Sequence, residues 1–363
     1  MDGAHVPRLK RTHPGQPGIT RRRRGRGWSY TDAAGEPIDD QEVRARLDGL
    51  VIPPAWTDVW ITPFANGHLQ AVGTDAKGRR QYLYHDDWRA RQDLIKHRRV
   101  LQLGGALPGA RNRALEAFGH RRWNRDRALA LAFRLLDRGH FRIGGAGYVQ
   151  ANGSYGLSTL LRSHVRRRSG ALIFEYTAKS GVHRIERIDD AALVEAVTSL
   201  MRRRGDTVDE LLAYHTRAGW RALTSDEINE YVRDVTGLDV SAKDFRTWHG
   251  TVLASVALAR EMLLHPDDRR WTERAADRAV RRSVVAVAAN LGNTPAVCRA
   301  SYVNPRAIDL FRSGTTIDRA VTRAARSAPD ALTAGEPAEV ADRVAVLGAT
   351  PGVERAVLRL LKE

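Results

Sequence analysis

The sequence is poor in cysteine, in lysine and in long apolar runs. Its single cysteine, Cys298, excludes a disulfide framework, a zinc site built from cysteines and an iron–sulfur cluster. No run of about 18 apolar residues is present, and the first 15 residues lack the apolar core of a signal peptide. We therefore expect a protein that is located in the cytoplasm.

The charge is strongly unbalanced in favour of arginine. The 363-residue chain has 59 Lys and Arg against 42 Asp and Glu, a formal net charge of +17, and only six of the basic residues are lysine. This charge predicts a polyanionic partner. Arginine is the usual cation in this chain, so each lysine is a candidate for a chemical role. Lysine can give up a proton, whereas arginine cannot readily do so.

Composition divides the chain into four segments and predicts the α+β fold class. Strand formers alternate with tight turns in the N-terminal part, whereas helical spacing dominates after Trp88. The predicted segments are a basic arm (1–26), a small antiparallel β-rich domain (27–100), a mainly α-helical domain (101–326) and an acidic-leaning tail with a terminal helix (327–363).

Local signals place elements within the helical domain. Thr224-x-x-Glu227 and Ser241-x-x-Asp244 are capping boxes, and Thr294-Pro295 predicts the start of a short helix that ends near Tyr302. The apolar spacing of residues 208–214 also predicts a helix. One β-hairpin, over residues 171–188 with a Ser180-Gly181 turn, interrupts the helices.

Four residues of the helical domain match the demands of attack on a phosphodiester. Arg142 follows a long apolar helix, Arg246 lies in the first turns of a capped helix, and Tyr302 comes nine residues after Asn293. Two guanidiniums can clamp the non-bridging oxygens and stabilise a pentacoordinate transition state, and a tyrosine hydroxyl can be the nucleophile. The expelled 5′-oxygen needs a proton, and Lys179, beside the hairpin turn, is the candidate general acid.

Each of these residues alone has a simpler structural interpretation. Arginines in helices usually lie at the surface, a tyrosine near a helix end usually packs, and a lysine beside a turn is usually solvated. The scarcity of lysine and the occurrence of all four residues in one domain favour the catalytic interpretation.

Six short motifs extend this pattern along the chain. They are Arg24-Gly25-x-Gly27-Trp28-x-Tyr30, Ile52-Pro53-Pro54-Ala55-Trp56, Gly78-Arg79-Arg80-Gln81-Tyr82-x-Tyr84, Thr177-Ala178-Lys179-Ser180-Gly181, Lys243-x-x-Arg246 and Ser301-Tyr302. Through them the chain resembles the type IB DNA topoisomerases, in particular the compact poxvirus-like and bacterial branch, over roughly residues 25–314. The resemblance implies a β-rich N-terminal domain and a helical catalytic domain that form a C-shaped clamp around duplex DNA.

The resemblance also implies an activity and roles for individual residues. Supercoiled DNA would be relaxed without ATP, metal or cofactor, through a 3′-phosphotyrosine intermediate, strand swivelling and religation. Tyr302 would be the nucleophile, Arg142 and Arg246 the phosphate-clamping arginines, and Lys179 the general acid. Asn293 stands where poxvirus members have histidine, and it can donate an N–H without moving protons near neutral pH.

The resemblance also implies a monomer that acts on DNA in the bacterial nucleoid, and it implies further residues that contact the DNA. The residues that the resemblance implies for this contact are Arg80, Gln81, Tyr82, Tyr84, Tyr148 and Lys243.

Two other functions remain open at this point. A tyrosine recombinase or integrase uses the same residue types. Recombinases, however, usually have a helical N-terminal domain, and they usually have histidine at the position of Lys243. A non-enzymatic nucleoid protein would explain the charge but not the four chemical residues. We interpret His183 and His249 as structural, because no carboxylate partner is evident, and Cys298 as a packing residue.

Overall fold

The computed structural model describes residues 8–120, 122–205, 207–265 and 271–362. The chain divides into two compact units, Met1–His97 and Arg98–Glu363, each with its own hydrophobic core. A β-rich unit followed by a mainly helical one confirms the α+β class predicted from the sequence. Within the described residues, no helix combines the length and the apolar character needed to cross a membrane.

The first unit is built on an antiparallel sheet. Its elements are β1 (Ile19–Arg24), β2 (Gly27–Thr31), α1 (Gln41–Gly49), β3 (Thr57–Ile61), β4 (Leu69–Thr74) and β5 (Arg80–Tyr84). The strands lie in the order β2-β1-β3-β4-β5, so β5 is an edge strand of this sheet. Leu47 of α1 packs into the same core as Ile19, Ile61 and Ala71 from the strands.

The arginine run that was predicted to lie in a basic arm is part of this sheet. Strand β1, which contains Arg21–Arg24, pairs with β2 from Thr20 to Arg24. The Arg21 guanidinium donates to the carbonyls of Ile52 (2.8 Å) and Pro53 (2.6 Å) and lies over the ring of Trp28. Charge alone suggested a free arm, whereas backbone pairing and these partners tie the segment to the unit.

The second unit is mainly helical. After α2 (Asp86–Phe118), its helices are α3 (Arg125–Gly139), α4 (Ala146–Asn152), α5 (Ala191–Met201), α6 (Ser225–Thr236), α7 (Ala242–Leu264), α8 (Glu273–Leu291), α9 (Pro295–Ser301), α10 (Pro305–Arg312), α11 (Asp318–Ala325), α12 (Pro337–Gly348) and α13 (Pro351–Lys362). Its strands are β6 (Val165–Arg168), β7 (Ala171–Ala178), β8 (Val182–Ile188), β9 (Ala213–Thr216) and β10 (Gly219–Ala222). The first three form one sheet, with β7 in the middle, and β9 and β10 form a hairpin.

Capping residues fix where the important helices begin and end. Thr224 and Glu227 form the predicted capping box of α6, and the Asp244 carboxylate accepts from the backbone N–H of Ser241 (2.9 Å) at the start of α7. Gly292 ends α8 with φ +58°, and the Thr294 hydroxyl accepts from Val297 to open α9. The two capping boxes and the start of α9 were predicted from the sequence and are confirmed.

The helix predicted over residues 208–214 is wrong. Ala213 and Tyr214 belong to β9, which pairs with β10, and the preceding residues of the stretch are not helical. A short apolar run fits a strand or a helix equally well, and here the partner strand decides the outcome.

The C-terminal segment that was predicted as an acidic tail packs onto the second unit. Val344 of α12 and Val353 and Val357 of α13 are fully buried in its core. The Glu354 carboxylate pairs with the Arg111 guanidinium (2.6 Å), which also pairs with Asp137 of α3 (2.8 Å). The segment ends in the predicted terminal helix α13. At least one of its negative charges, that of Glu354, is therefore neutralised by an ion pair within the unit.

Candidate active site

Arg142 lies directly after α3, in a segment whose path depends on a close backbone contact. Gly144 has φ +81°, and a Cβ at this position would lie 2.9 Å from the Cα of Gly156. The Arg142 carbonyl accepts from Leu157 N–H (2.8 Å), which fixes the backbone on the other side. The backbone that carries the Arg142 side chain is thereby held in place on both sides.

Arg246 projects from the second turn of α7 and is buried. Its Nη1 donates to the carbonyl of His140, and its Nη2 donates to the carbonyl of Leu291 (2.7 Å). The guanidinium carbon lies 5.1 Å from the centre of the Tyr302 ring. The two amino groups are therefore held by backbone oxygens while one face of the group lies against the candidate nucleophile.

Asn293 follows the C-terminal turn of α8 and bonds the other arginine. Its Oδ1 accepts from Arg142 Nη2 (2.6 Å), which also donates to the carbonyl of Gly292 (3.2 Å). Its Nδ2 donates to the carbonyl of Leu291 (3.3 Å), so one of its two N–H groups is engaged. Asn293 thus orients the Arg142 guanidinium and retains a second N–H.

Tyr302 ends α9 and packs its backbone against α7. Its carbonyl accepts from the Thr251 hydroxyl (3.2 Å). At Gly250, a Cβ would lie 2.9 Å from both the Cβ and the carbonyl oxygen of Tyr302. The absence of a side chain at this one position of α7 lets the tyrosine approach the helix that carries Arg246.

The charges of this cluster influence one another. Burial lowers the pKa of Arg142, the neighbouring charge of Arg246 acts in the same direction, and the nearby Tyr302 and Tyr176 oppose both. Two like charges are therefore held side by side, one on the buried Arg246 and one on the partly buried Arg142. An anion placed between them would relieve this repulsion.

Lys179 has a different setting at the tip of the β7–β8 hairpin. It begins a single 3-10 turn in which Ser180 (φ 66°) and Gly181 (φ 74°) adopt left-handed conformations. The side chain is exposed, and none of the described residues forms a hydrogen bond or an ion pair with it. The structure thus brings Tyr302, Arg142, Arg246 and Asn293 together and leaves Lys179 on an exposed turn.

The residues expected to contact DNA are placed as follows. Arg80, Gln81, Tyr82 and Tyr84 lie on edge strand β5, where Tyr82 is half exposed and stacks on Tyr84 (6.3 Å between ring centres). Alternation along the strand puts Gln81 on the opposite face, where its amide donates to Asp75 (2.8 Å).

Two further predicted contacts lie in the second unit. Tyr148 of α4 is exposed over 64% of its surface, which leaves its ring accessible. Lys243, in the first turn of α7, is also exposed, whereas Arg246 one turn later is buried.

Carboxylate partners exist for both histidines that were interpreted as structural. His183 Nε2 lies 3.2 Å from a Glu175 carboxylate oxygen on the surface, and His249 Nε2 lies 3.6 Å from Asp137 in the interior. Burial lowers the pKa of His249. Cys298 is buried, and burial raises its pKa to about 11, in keeping with the packing role that was predicted.

Sequence reasoning missed Arg184 and Tyr176, which line the same cluster. Arg184 lies directly opposite Tyr176 in the β7–β8 register, and both are buried. The signal was available: every second residue of β7 from Leu172 to Ala178 is apolar or aromatic, and cross-strand pairing puts Arg184 on that buried face.

Comparison with known proteins identifies the family. Residues 27–75 match the N-terminal domain of bacterial DNA topoisomerase IB, and residues 85–314 match the catalytic core of eukaryotic DNA topoisomerase I. A similar protein, DNA topoisomerase 1B of Acanthamoeba polyphaga mimivirus, is 26% identical over 270 residues, which cover 74% of this chain and 80% of the relative. Because the catalytic-core match spans more than half of the chain, the chain belongs to the type IB DNA topoisomerase family.

Membership in this family confirms the predicted class of enzyme. The chain is a type IB DNA topoisomerase, an isomerase that binds DNA. The match thus favours this class over the two alternatives, the recombinases and the non-enzymatic nucleoid proteins.

Proposed function

We propose that the enzyme relaxes supercoiled duplex DNA by cutting and resealing one strand through a covalent bond to Tyr302. The Tyr302 oxygen attacks the scissile phosphorus and loses its proton to water. The new P–O bond to tyrosine forms as the bond from phosphorus to the 5′-oxygen breaks. Lys179 protonates that oxygen, and the free end swivels before the reverse reaction restores the strand.

The observation that carries this proposal is the closeness of Tyr302 to two anchored guanidiniums. Its ring lies 5.1 Å from the Arg246 guanidinium, and Tyr302 is near enough to Arg142 to oppose the effect of burial, which lowers the pKa of that guanidinium. Both cations would bind the non-bridging oxygens and stabilise the charge that develops in the transition state. Because backbone carbonyls already fix the arginines, little reorganisation is required when the phosphate arrives.

Asn293 contributes a neutral donor to the same phosphate. One N–H of its amide bonds Leu291, and the other is available for a non-bridging oxygen. An amide cannot relay protons near neutral pH, so the proton for the leaving oxygen must come from another residue.

Lys179 is that residue in our proposal. An exposed lysine on a narrow hairpin tip can enter a groove of the duplex and reach the departing oxygen. Its lack of partners among the described residues leaves the ammonium protons free for transfer.

The remaining DNA contacts and the working state complete the proposal. Arg80, Tyr82 and Tyr84 on β5, with Gln81, would contact the duplex from the first unit, and Tyr148 and Lys243 would contact it from the second. The enzyme acts as a monomer on DNA of the bacterial nucleoid, and it needs no ATP, metal or other cofactor.

Trapping the covalent intermediate tests the proposal directly. On a nicked suicide duplex, the short 5′-hydroxyl fragment dissociates and the 3′-linked adduct accumulates. Peptide mapping should find the modification at Tyr302, in the presence of EDTA and without nucleotide. Tyr302→Phe should abolish the adduct and leave non-covalent DNA binding nearly unchanged.

Tyr231→Phe is the matched control. Tyr231 of α6 is half buried and packs edge-to-face on Phe133, away from the arginine cluster. This variant should form the adduct at the wild-type rate. An adduct mapped to another residue, or a strict requirement for Mg²⁺ or ATP, would reject the mechanism.

A further inference from the structure

The C-terminal turn of α8 is held by three arginines. The last carbonyls of an α-helix have no partner inside the helix, and they form its negative end. Here four consecutive carbonyls, those of residues 289–292, each accept from a guanidinium. Arg184 donates to the carbonyls of Ala289 (3.2 Å) and Asn290 (2.9 Å), Arg246 to that of Leu291, and Arg142 to that of Gly292.

Arg184 is the member of this set with no assigned part in the reaction. It comes from β8, and only 8% of its surface is exposed. Glu186 forms an ion pair with its guanidinium, and Tyr176 lies opposite it in the β7–β8 register. A Cβ at Gly292 would collide with this guanidinium, so the glycine at the end of α8 also makes room for Arg184.

A third cation in this place carries a desolvation cost. The pKa of Arg184 is lowered to about 10, chiefly by burial and also by the charges of Arg246 and Arg142, whereas Tyr176 raises it. The group remains charged at neutral pH, and its contact with Glu186 offsets part of the repulsion from the other two arginines. In this position it forms two bonds to carbonyls of the α8 turn.

We propose that Arg184 is a positioning residue that fixes the C-terminal turn of α8 and, through its carbonyls, the two phosphate-clamping arginines. Arg184 reaches neither the phosphate nor Tyr302 in this role. It holds residues 289 and 290, and the next two carbonyls of the same turn hold Arg246 and Arg142. The inference rests on the proposed catalytic roles of Arg142 and Arg246.

Single-turnover cleavage of the suicide duplex by Arg184→Met tests this role. A turn that shifts by about 1 Å displaces both guanidiniums from the phosphate, which can slow the chemical step roughly 10²-fold. We expect that loss in cleavage and in religation, with DNA affinity unchanged. Arg184→Lys keeps the charge but not the two-carbonyl fork, and it should be impaired in the same direction if Arg184→Met does not fold.

Arg260→Met is the matched control for lost stability. Arg260 is also a buried arginine, and it donates to the carbonyls of Ala331 and Thr333 (2.7 Å each). It lies 14 residues beyond Arg246 on α7, about 21 Å along the helix axis. This variant should unfold at a lower temperature, yet cleave at the wild-type rate below that temperature. Equal cleavage rates for Arg184→Met and Arg260→Met would overturn the inference.

A double variant separates positioning from an independent contribution. If Arg184 acts through Arg246, then Arg184→Met should cost much less in an Arg246→Ala background than in the wild type. Losses that multiply would overturn the inference and leave the proposed function intact. Wild-type cleavage by Arg246→Ala alone would instead reject the proposed role of Arg246.

Discussion

The arginine cluster and the hairpin tip differ in how their functional groups are held. In the cluster, every assigned guanidinium is anchored by carbonyl oxygens, and Arg246 is almost completely buried. At the tip, Lys179 is exposed and forms no bond with the described residues. Stabilisation of a transition-state charge benefits from donors fixed in advance, whereas proton transfer needs a group that can approach its target. We therefore expect that a substrate whose leaving group needs no proton restores cleavage by variants of the hairpin tip, but not by variants of the cluster.

Loss of the hairpin ammonium should have the largest effect. Lys179→Ala should slow cleavage by roughly 10²–10⁴-fold, the usual contribution of a general acid. A duplex with sulfur at the 5′-bridging position has a leaving group that needs no proton, and it should recover most of the loss. Single-turnover cleavage of both duplexes measures this. The exposed position predicts an unchanged melting temperature.

Lys179→Arg is the control for charge. It retains a cation at the tip but cannot readily give up a proton, so it should remain slow on the normal duplex. Full activity of Lys179→Arg would contradict the role of Lys179 as the general acid. The same conclusion would follow if the sulfur-containing duplex did not restore cleavage by Lys179→Ala.

A change inside the cluster should have an intermediate effect that sulfur does not rescue. Asn293→Ala removes the 2.6 Å acceptor of Arg142 and the N–H proposed for the phosphate. Bonds to charged groups are worth about 1.5–3 kcal/mol, so cleavage should slow by roughly 10–10²-fold on both duplexes. Their rate ratio, measured in single turnover, should equal that of the wild type.

Asn124→Ala provides the comparison at an asparagine outside the cluster. Asn124 is the N-cap of α3, where its side-chain oxygen accepts from the backbone N–H of Arg127 (3.0 Å), at the opposite end of the helix from Arg142. This variant should lose stability but keep the cleavage rate. A rate loss equal to that of Asn293→Ala would show that lost stability, not the Arg142 bond, governs both variants.

The smallest expected effect is on the pH dependence of the unfolding free energy, through the buried His249. Burial keeps the pKa of His249 below its usual value, despite Asp137 and Glu354 and with the help of Arg111 and Arg138. The unfolded chain therefore takes up a proton first as the pH falls below about 6.5, and stability decreases by about 1.4 kcal/mol per pH unit until the folded ring also titrates. His249→Gln should remove that contribution, measured as the unfolding free energy between pH 7 and pH 5. An unchanged slope in His249→Gln would contradict the assignment of a neutral buried ring.

Much of the local structure could be predicted because its causes are local. Gly292, Thr294 and Pro295 lie within four residues and determine where α8 ends and α9 begins, and Ser180-Gly181 determines the hairpin turn. The residue types at the proposed site could also be selected, since the chemistry of phosphodiester attack restricts them.

The anchoring of the cluster could not be predicted because it is tertiary. Arg142 and Asn293 are separated by 151 positions, and Arg184 and Asn290 by 106. No spacing rule connects such residues, and a backbone carbonyl leaves no trace in the sequence. The arginine run in β1 was misread for the same reason, since Trp28 and the carbonyls that bind Arg21 lie outside the run.

The position of the candidate nucleophile, Tyr302, depends on the absence of a side chain at Gly250. Its hydrogen faces the Cβ and carbonyl of Tyr302, one turn of α7 beyond Arg246. A single methyl group here must push the tyrosine away from the helix or bend the helix itself, with all five reactive side chains still in the sequence. Inactive relatives can therefore arise that retain every signature residue, and a search restricted to signatures would count them as enzymes.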